Sequence, residues 1–127
     1  MLGSARLTAF VATTDSARSR PFYESVLGLR FLSDDRFALV FDSNGTTLRI
    51  QKVERFQPLP FTALGWQVAG IQHVVSTLTK LGVAFERYSF LQQDGLGIWT
   101  SPAGAKVAWF KDPDGNLLSV WESGAAE

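Results

Sequence analysis

The chain contains one hairpin pattern twice, and this duplication constrains the fold more than any other feature of the sequence. Segment 108–120 reads AWFKDPDGNLLSV, two apolar runs around a polar turn, and segment 38–50, ALVFDSNGTTLRI, aligns with it without a gap. In this alignment Asp42 matches Asp112. Apolar runs separated by Asp, Asn, Pro and Gly are typical of β-hairpins. A pattern repeated within one chain predicts two copies of one supersecondary unit.

The repeat extends upstream of the hairpins, where LGLRF at 27–31 matches LGVAF at 81–85. A helical segment and a short apolar strand precede each match. We therefore predict an α+β fold of two tandem βαβββ modules. A chain of 127 residues is expected to form a single domain, 1–127, with a first module at 5–55 and a second at 61–123.

In the first copy the pattern predicts a strand and then a helix that Asp15 caps. The Asp15 carboxylate is expected to accept hydrogen bonds from the free amides of the first turn. Pro21 lies inside the predicted helix and should kink it or shorten its regular part. Further strands are expected, and two prolines mark the linker that ends the copy. The predicted strands are 6–13, 29–33, 37–41 and 46–53, and the linker is 54–60.

In the second copy a helix is predicted to begin near Gly70 and to end at Gly82. A polar loop at 90–96 is interpreted as a mobile rim, and residues 123–127 as a frayed tail. The predicted strands are 62–69, 84–88, 97–100, 105–111 and 117–121.

Composition argues against several classes of protein. Twelve basic and twelve acidic residues cancel, whereas nucleic-acid-binding proteins usually carry a basic excess. No apolar run approaches the ~18 residues that span a bilayer. Absence of cysteine excludes disulfides and thiolate chemistry. The first residues show no charged stretch followed by an apolar one, so a cytoplasmic location is expected.

Several segments, in their order along the chain, resemble the vicinal oxygen chelate superfamily, which includes glyoxalase I, bleomycin-resistance proteins and extradiol dioxygenases. They are DSARSRPFY at 15–23, VLGL at 26–29, GWQV at 65–68, LGVAF at 81–85 and WFKDPDGN at 109–116. The resemblance implies two βαβββ units whose concave sheet faces make a cavity, often completed by a second subunit. A homodimer is therefore expected.

Enzymes of this superfamily commonly hold a divalent metal ion with His, Glu, His and Glu. The resemblance places these four positions at Thr8, Arg49, Leu64 and Ser119. Leu64 has no donor atom, Arg49 would bring a cation, and hydroxyls are weak ligands for transition metals. The only histidine, His73, lies in the second predicted helix. We therefore expect no metal and no other cofactor.

Strand alternation then predicts which side chains line the cavity. The candidate ligand-binding residues are Phe10, Arg49, Trp66, Phe110, Ser119 and Trp121. Trp66 and Trp121 are expected either to stack on a planar ligand or to fill the cavity or a dimer interface. Arg49 is expected either to bind a carboxylate or phosphate of a ligand or to form an ion pair. From the first copy the inward side chains are predicted to be Thr8, Phe10, Ala12, Ala38, Val40, Thr47, Arg49 and Gln51. The opposite faces are predicted to pack under the helices, with Leu39, Phe41, Leu48, Ile50, Val107, Trp109, Leu118 and Val120.

The leading hypothesis is a metal-independent binding protein for an aromatic or anionic small molecule, of the drug-sequestering or sensor kind. One alternative is a glyoxalase-like lyase, isomerase or dioxygenase. Asp34, Asp35, Glu86 and Asp94 are candidate acids or bases, although no spacing singles out a pair. A second alternative is a structural or regulatory protein whose surface binds a partner. Neither nucleic acid nor a membrane is an expected partner.

Overall fold

A computed structural model describes residues 1–124 of the chain. Residues 125–127, most of the predicted frayed tail, lie outside this range. The described residues form two compact units, the first Met1–Pro58 and the second beginning at Leu59. Each unit is described by itself below. Within the described part, no helix is long and apolar enough to cross a membrane.

The first unit is a four-stranded mixed sheet with one helical segment. After a short 3₁₀ turn at Leu2–Ser4, β1 (Thr8–Thr13) leads into α1 (Ser16–Pro21) and a five-residue π-helix (Phe22–Val26). The remaining strands are β2 (Arg30–Asp34), β3 (Ala38–Ser43) and β4 (Thr46–Lys52). The strand order is β1-β4-β3-β2, with β1 parallel to β4 and the other neighbours antiparallel.

The helical segment of the first unit begins and ends for identifiable reasons. The Asp15 carbonyl oxygen accepts hydrogen bonds from the amides of Arg18 and Ser19, both at 3.1 Å. The Asp15 carboxylate makes no capping bond, so the predicted side-chain cap is wrong. As predicted, the α-helical part ends at Pro21, which has no N–H to continue the ladder. The wider turn that follows is closed by a bond from Leu27 N to Phe22 O at 2.9 Å.

The core of the first unit lies between this helical segment and the sheet. The Tyr23 ring is fully buried, and its centroid lies 6.0 Å from that of Phe41. Leu39, Leu48 and Ile50 are 0–2% exposed on the same face. This face is the one that alternation predicted to pack under the helix.

The second unit repeats the architecture, which confirms the α+β class and the two modules. Its elements are β5 (Leu64–Gln67), α2 (Ile71–Lys80), β6 (Trp99–Thr100), β7 (Lys106–Lys111) and β8 (Leu117–Glu122). The strand order is β5-β8-β7-β6, with β5 parallel to β8. We call the sheets of the first and second units sheet 1 and sheet 2.

The predicted strand at 84–88 is wrong, because this stretch makes only one isolated bridge, from Phe85 to Phe110. The Gln93 side chain takes the place of a neighbouring strand. Its Oε1 accepts from Tyr88 N at 2.8 Å, and its Nε2 donates to the carbonyl oxygens of Glu86 and Gly97 at 2.9 Å each. The loop interpreted as a mobile rim is therefore fixed by side-chain hydrogen bonds.

A carboxylate distant in sequence caps α2. Glu122 Oε1 accepts hydrogen bonds from Gly70 N at 2.7 Å and Ile71 N at 3.1 Å. An anion at this position satisfies free amides and complements the helix dipole. As predicted, Gly70 precedes the helix and Gly82 follows it, with φ values of 70° and 99°.

The two central hairpins differ in length by one residue. In the first, two residues separate the paired Ser43 and Thr46. In the second, three residues separate Asp112 from Asn116, whose carbonyl accepts the Asp112 amide at 3.0 Å. The structural counterpart of Asp112 is therefore Ser43. The gapless alignment is correct along β8 but wrong by one residue along β7.

Candidate functional site

Each sheet has a back face that packs against its own helix and a front face turned away from it. Directly opposite residues on neighbouring strands share a face. In sheet 1 the buried Leu48 and Ile50 mark the back face. Strand pairing then gives the front face, which agrees with the predicted alternation: Thr8, Phe10, Ala12, Ala38, Val40, Thr47, Arg49 and Gln51.

Arg49 lies in the middle of the front face of sheet 1, opposite Phe10 on one neighbouring strand and Val40 on the other. Phe10 is 52% exposed. Among residues 1–124 the Arg49 guanidinium makes no hydrogen bond and no ion pair. Its electrostatic neighbour is Asp35, whose pKa is lowered chiefly by hydrogen bonds from backbone amides and to a smaller extent by Arg49. Sheet 1 thus offers a part-exposed cation beside an exposed aromatic ring.

The front face of sheet 2 carries most of the tryptophans. Trp109 lies opposite Ser119, and Val107 lies opposite both Trp121 and Trp99. On the other side of β8, the parallel strand β5 adds Gly65 and Gln67. The front face therefore includes Gly65, Gln67, Trp99, Val107, Trp109, Lys111, Leu117, Ser119 and Trp121.

Two of the predicted lining residues point to the back face, so their predicted orientation is wrong. Phe110 lies opposite Leu118 and is 0% exposed. Because the second turn has one extra residue, the pairing of β7 with β8 is displaced by one residue relative to the first hairpin. Trp109, and not its neighbour Phe110, therefore lies on the front face. Trp66 lies beside Val120, because Gly65 is the residue that pairs with Ser119. The sequence signal for this shift is the length of the second turn.

Aromatic rings form a continuous group at one side of this front face. The ring centroids of Trp99 and Trp109 lie 6.1 Å apart, those of Trp109 and Tyr88 5.6 Å, and those of Tyr88 and Phe90 5.5 Å. We call these four residues the aromatic wall. Burial, and then the Glu86 carboxylate, raises the pKa of Tyr88, so its phenol is neutral at pH 7.

Trp121 differs from the aromatic wall because its indole contacts no other aromatic ring among the described residues. It is part-exposed. A part-exposed indole without a ring partner retains a face on which a planar molecule can stack.

Ser119 lies between Trp109 and Gly65 and is 6% exposed. Within residues 1–124 its hydroxyl makes no hydrogen bond. A Cβ placed on Gly65 would lie 2.9 Å from Ser119 Oγ and 3.8 Å from Trp121 Cδ1. The missing side chain at residue 65 therefore leaves a gap that Ser119 and Trp121 border. We call this gap the Gly65 notch.

The residues at the four metal positions implied by the resemblance do not fit a metal ion. Strand pairing places Leu64 on the back face, beside Leu118, so the front-face counterpart of Thr8 in sheet 2 is residue 63, an alanine. The four residues are then threonine, arginine, alanine and serine. Across the described chain, no group of three or more His, Cys, Asp or Glu side chains is arranged to hold a metal.

The carboxylates considered as acids or bases all have structural partners. Asp34 pairs with Lys52 at 2.5 Å, and Glu86 pairs with Lys111 at 3.4 Å. Asp35 Oδ1 accepts the amides of residues 37 and 38. Asp94 Oδ1 accepts the amides of residues 96 and 98, both at 2.9 Å. Each of the four carboxylates therefore has a structural role, as an ion-pair partner or as an acceptor of backbone amides.

An open pocket of about 400 Å³ lies beside Trp99. Most of its lining residues are polar, and the full lining consists of Gln92, Gln93, Asp94, Ile98, Trp99 and Thr100. Because Gln93 and Asp94 already bind the backbone of their own loop, they have limited capacity to bind a ligand.

Comparison with known proteins identifies the family to which the sequence is similar. The sequence matches the Glyoxalase/Bleomycin resistance protein/Dioxygenase superfamily over residues 5–120. No curated protein sequence matches it. Among solved structures, a superfamily member from Sphaerobacter thermophilus DSM 20745 is similar with a TM-score of 0.73 and 21% identity, covering 94% of this chain and 98% of that one.

Two other solved structures carry functional descriptions. The antibiotic binding protein TnmS3 from Streptomyces sp. CB03234 has a TM-score of 0.73 and 20% identity, over 95% of this chain and 97% of its own. Lactoylglutathione lyase from Agrobacterium tumefaciens has a TM-score of 0.72 and 16% identity, over 94% and 93%. At these identities the likeness shows the fold alone.

Proposed function

The chain belongs to the Glyoxalase/Bleomycin resistance protein/Dioxygenase superfamily, and from that premise we propose that it is a metal-independent binding protein for small aromatic molecules. The antibiotic-binding neighbour TnmS3 shows that a protein of this fold can have a binding role. The proposal for this chain depends on its own front-face residues.

The observation that carries the proposal is the front face of sheet 2. It brings together a part-exposed indole, Trp121, and a hydroxyl, Ser119, which have no ring contact and no hydrogen bond, respectively, within residues 1–124, and Trp109 lies nearby. Small-molecule sites typically combine apolar and aromatic walls with a few placed polar groups. A planar ring stacked on Trp121 would bury apolar area and gain a favourable ring–ring contact.

The side chains at the four metal positions support a binding function that needs no metal ion. Of the four positions, only Thr8 and Ser119 carry oxygen donors, and both are neutral hydroxyls. Hard or borderline divalent ions in proteins select carboxylate, imidazole or thiolate ligands. A ligand of this protein would therefore contact side chains directly, without a bridging ion.

Sheet 1 carries a candidate binding surface of its own, with a different chemistry. Arg49 has no hydrogen-bonding partner among the described residues and lies beside Phe10 and Val40. A guanidinium with an apolar neighbour suits a carboxylate or phosphate attached to a ring. We propose Phe10 and Arg49 as a separate, anion-binding surface on sheet 1.

The test combines metal analysis with ligand titration. Protein purified without chelator is expected to contain far less than one equivalent of Zn, Ni, Mn or Fe. Tryptophan fluorescence is expected to be quenched saturably by members of an aromatic panel, and Trp121→Ala should abolish this quenching. Trp66→Phe, on the back face, is the matched control and should preserve it. Near-stoichiometric metal would favour a lyase or dioxygenase instead.

We also propose a cytoplasmic homodimer. The family resemblance implies subunit pairing, and several apolar side chains are strongly exposed, among them Leu7 at 78% and Phe37 at 65%. Light scattering on the purified protein should give twice the 14.0 kDa chain mass. A single-chain mass would contradict the dimer without affecting ligand binding by sheet 2.

A further inference from the structure

The Ser119 hydroxyl is a polar group on the front face of sheet 2 that belongs to a nearly buried residue. The residue is only 6% exposed, yet its hydroxyl makes no hydrogen bond within the described chain. No fully buried side-chain nitrogen or oxygen in residues 1–124 lacks a partner. The Ser119 oxygen must therefore reach solvent, and the Gly65 notch is the opening beside it.

Glycine at residue 65 keeps this opening clear. The 2.9 Å separation between Ser119 Oγ and a Cβ placed on Gly65 is too short for two non-bonded atoms. The backbone at this residue is ordinary β-strand, so no left-handed conformation demands glycine there. The absent side chain is thus explained by space above Ser119 and not by backbone geometry.

We propose that the Gly65 notch is a specificity subsite, in which Ser119 binds an uncharged oxygen on the edge of an aromatic ligand. This inference rests on the proposed function. The ligand ring stacks on Trp121, and its edge hydroxyl or carbonyl oxygen enters the notch and exchanges one hydrogen bond with Ser119 Oγ. The preferred ligands are therefore planar aromatic molecules that bear a phenolic hydroxyl or a ketone.

The absence of charged side chains next to the Gly65 notch favours an uncharged ligand group there. The front-face residues next to the notch are uncharged: Gly65, Gln67, Trp109, Ser119 and Trp121. The nearest cation on this face, Lys111, pairs with Glu86 at 3.4 Å. Burying an ion without a counter-charge is unfavourable, whereas a hydroxyl can both donate to and accept from Ser119.

The test compares two probes of similar shape, 2-naphthol and naphthalene, by NMR titration of the four tryptophan indole N–H resonances. The wild-type protein should bind 2-naphthol about three- to tenfold more tightly, the range expected for one neutral hydrogen bond. Ser119→Ala should remove this preference, because it weakens 2-naphthol binding more than naphthalene binding. Ser76→Ala, a hydroxyl on α2, is the matched control and should preserve the preference.

A second variant tests the notch without removing the hydroxyl. Gly65→Ala should abolish the preference for 2-naphthol, and combining it with Ser119→Ala should restore stability that the 2.9 Å contact costs. Equal affinity of the wild type for both probes, or equal weakening of both by Ser119→Ala, would overturn the subsite while leaving the aromatic surface intact. Absence of any shift at Trp99, Trp109 and Trp121 with either probe would overturn the proposed function as well.

Discussion

Trp109 lies directly opposite Ser119 on neighbouring antiparallel strands, and the adjacent Phe110 lies opposite Leu118. Successive strand residues face opposite sides, so one aromatic residue belongs to the front face and its neighbour to the core. This assignment depends on the single extra residue in the second hairpin turn. It decides which aromatic side chain is available to a ligand.

Alanine substitutions at these neighbours should therefore have different effects. Phe110→Ala removes a fully buried ring and is expected to lower the free energy of unfolding by about 3–5 kcal/mol. Trp109→Ala removes a part-exposed ring, should cost about 1 kcal/mol and should weaken 2-naphthol binding. Urea denaturation and titration of both variants test this. A larger loss of stability at Trp109 would contradict the register.

Asp42 and Asp112, which the gapless alignment matches, should also differ in how much they contribute to stability. Asp112 is 5% exposed and accepts hydrogen bonds from the amides of Asp114 and Asn116 and from Asn116 Nδ2, at 2.8–3.0 Å. Asp112→Ala removes the acceptor of these three hydrogen bonds and should cost about 2–3 kcal/mol. Within residues 1–124 the Asp42 carboxylate has one ion pair, with the exposed Arg30 at 3.9 Å, so Asp42→Ala should cost less than about 0.5 kcal/mol. Thermal or urea unfolding should measure this, and similar losses of unfolding free energy in the two variants would contradict the prediction.

Removal of the α2 cap should destabilise the second unit. Glu122→Ala leaves the amides of Gly70 and Ile71 without their acceptor and is expected to cost about 1 kcal/mol. Hydrogen exchange of the first turn of α2 should rise in this variant. Glu54→Ala, at an exposed position in the linker, is the control and should leave exchange unchanged. Unaltered protection in Glu122→Ala would show that the cap contributes nothing.

Asp35 should make stability depend on pH in a defined direction. Hydrogen bonds from the amides of Phe37 and Ala38 hold its pKa below the ordinary 3.8. Because the folded pKa is lower than the unfolded one, the stabilisation is complete well above pH 4 and is lost as pH falls through the lowered pKa. Asp35→Asn should therefore lower the Tm at pH 7, and the difference should shrink on acidification below pH 4. A difference that stays constant from pH 7 to pH 2.5 would contradict this account.

Sequence periodicity and turn residues predicted the architecture well. The duplication, the helix bounded by Gly70 and Gly82, the disruption at Pro21 and the front-face set of sheet 1 all agree with the structure. These features are local, because they depend on residue types whose backbone preferences are strong. The family assignment followed from the order of the same segments and is confirmed.

Apart from the Asp15 side-chain cap, the predictions that failed depended on relationships between strands. A gapless alignment cannot show that Asp112 corresponds to Ser43, because both turns contain Asp and Gly at the same spacing. One residue then reverses every side chain of β7, which moved Phe110 to the core and Trp109 to the front face. The strand predicted at 84–88 failed because the Gln93 amide binds the backbone groups that a neighbouring strand would use.

The ligand-binding roles of Phe10, Arg49, Ser119 and Trp121 remain predictions. Strand pairing places Phe10 beside Arg49, and it places Ser119 and Trp121 on one face near Gly65. The importance of Gly65 was not evident from the sequence, because a glycine in a strand has several explanations. The short distance from its position to Ser119 Oγ distinguishes among them.

The most direct measurement for the central claim is a titration of ¹⁵N-labelled protein with 2-naphthol in the presence and absence of EDTA. We expect saturable shifts of the Trp99, Trp109 and Trp121 indole N–H resonances, no shift of Trp66, and the same Kd in both conditions. Shifts confined to Trp66, or binding that EDTA abolishes, would contradict metal-independent binding by the front face of sheet 2.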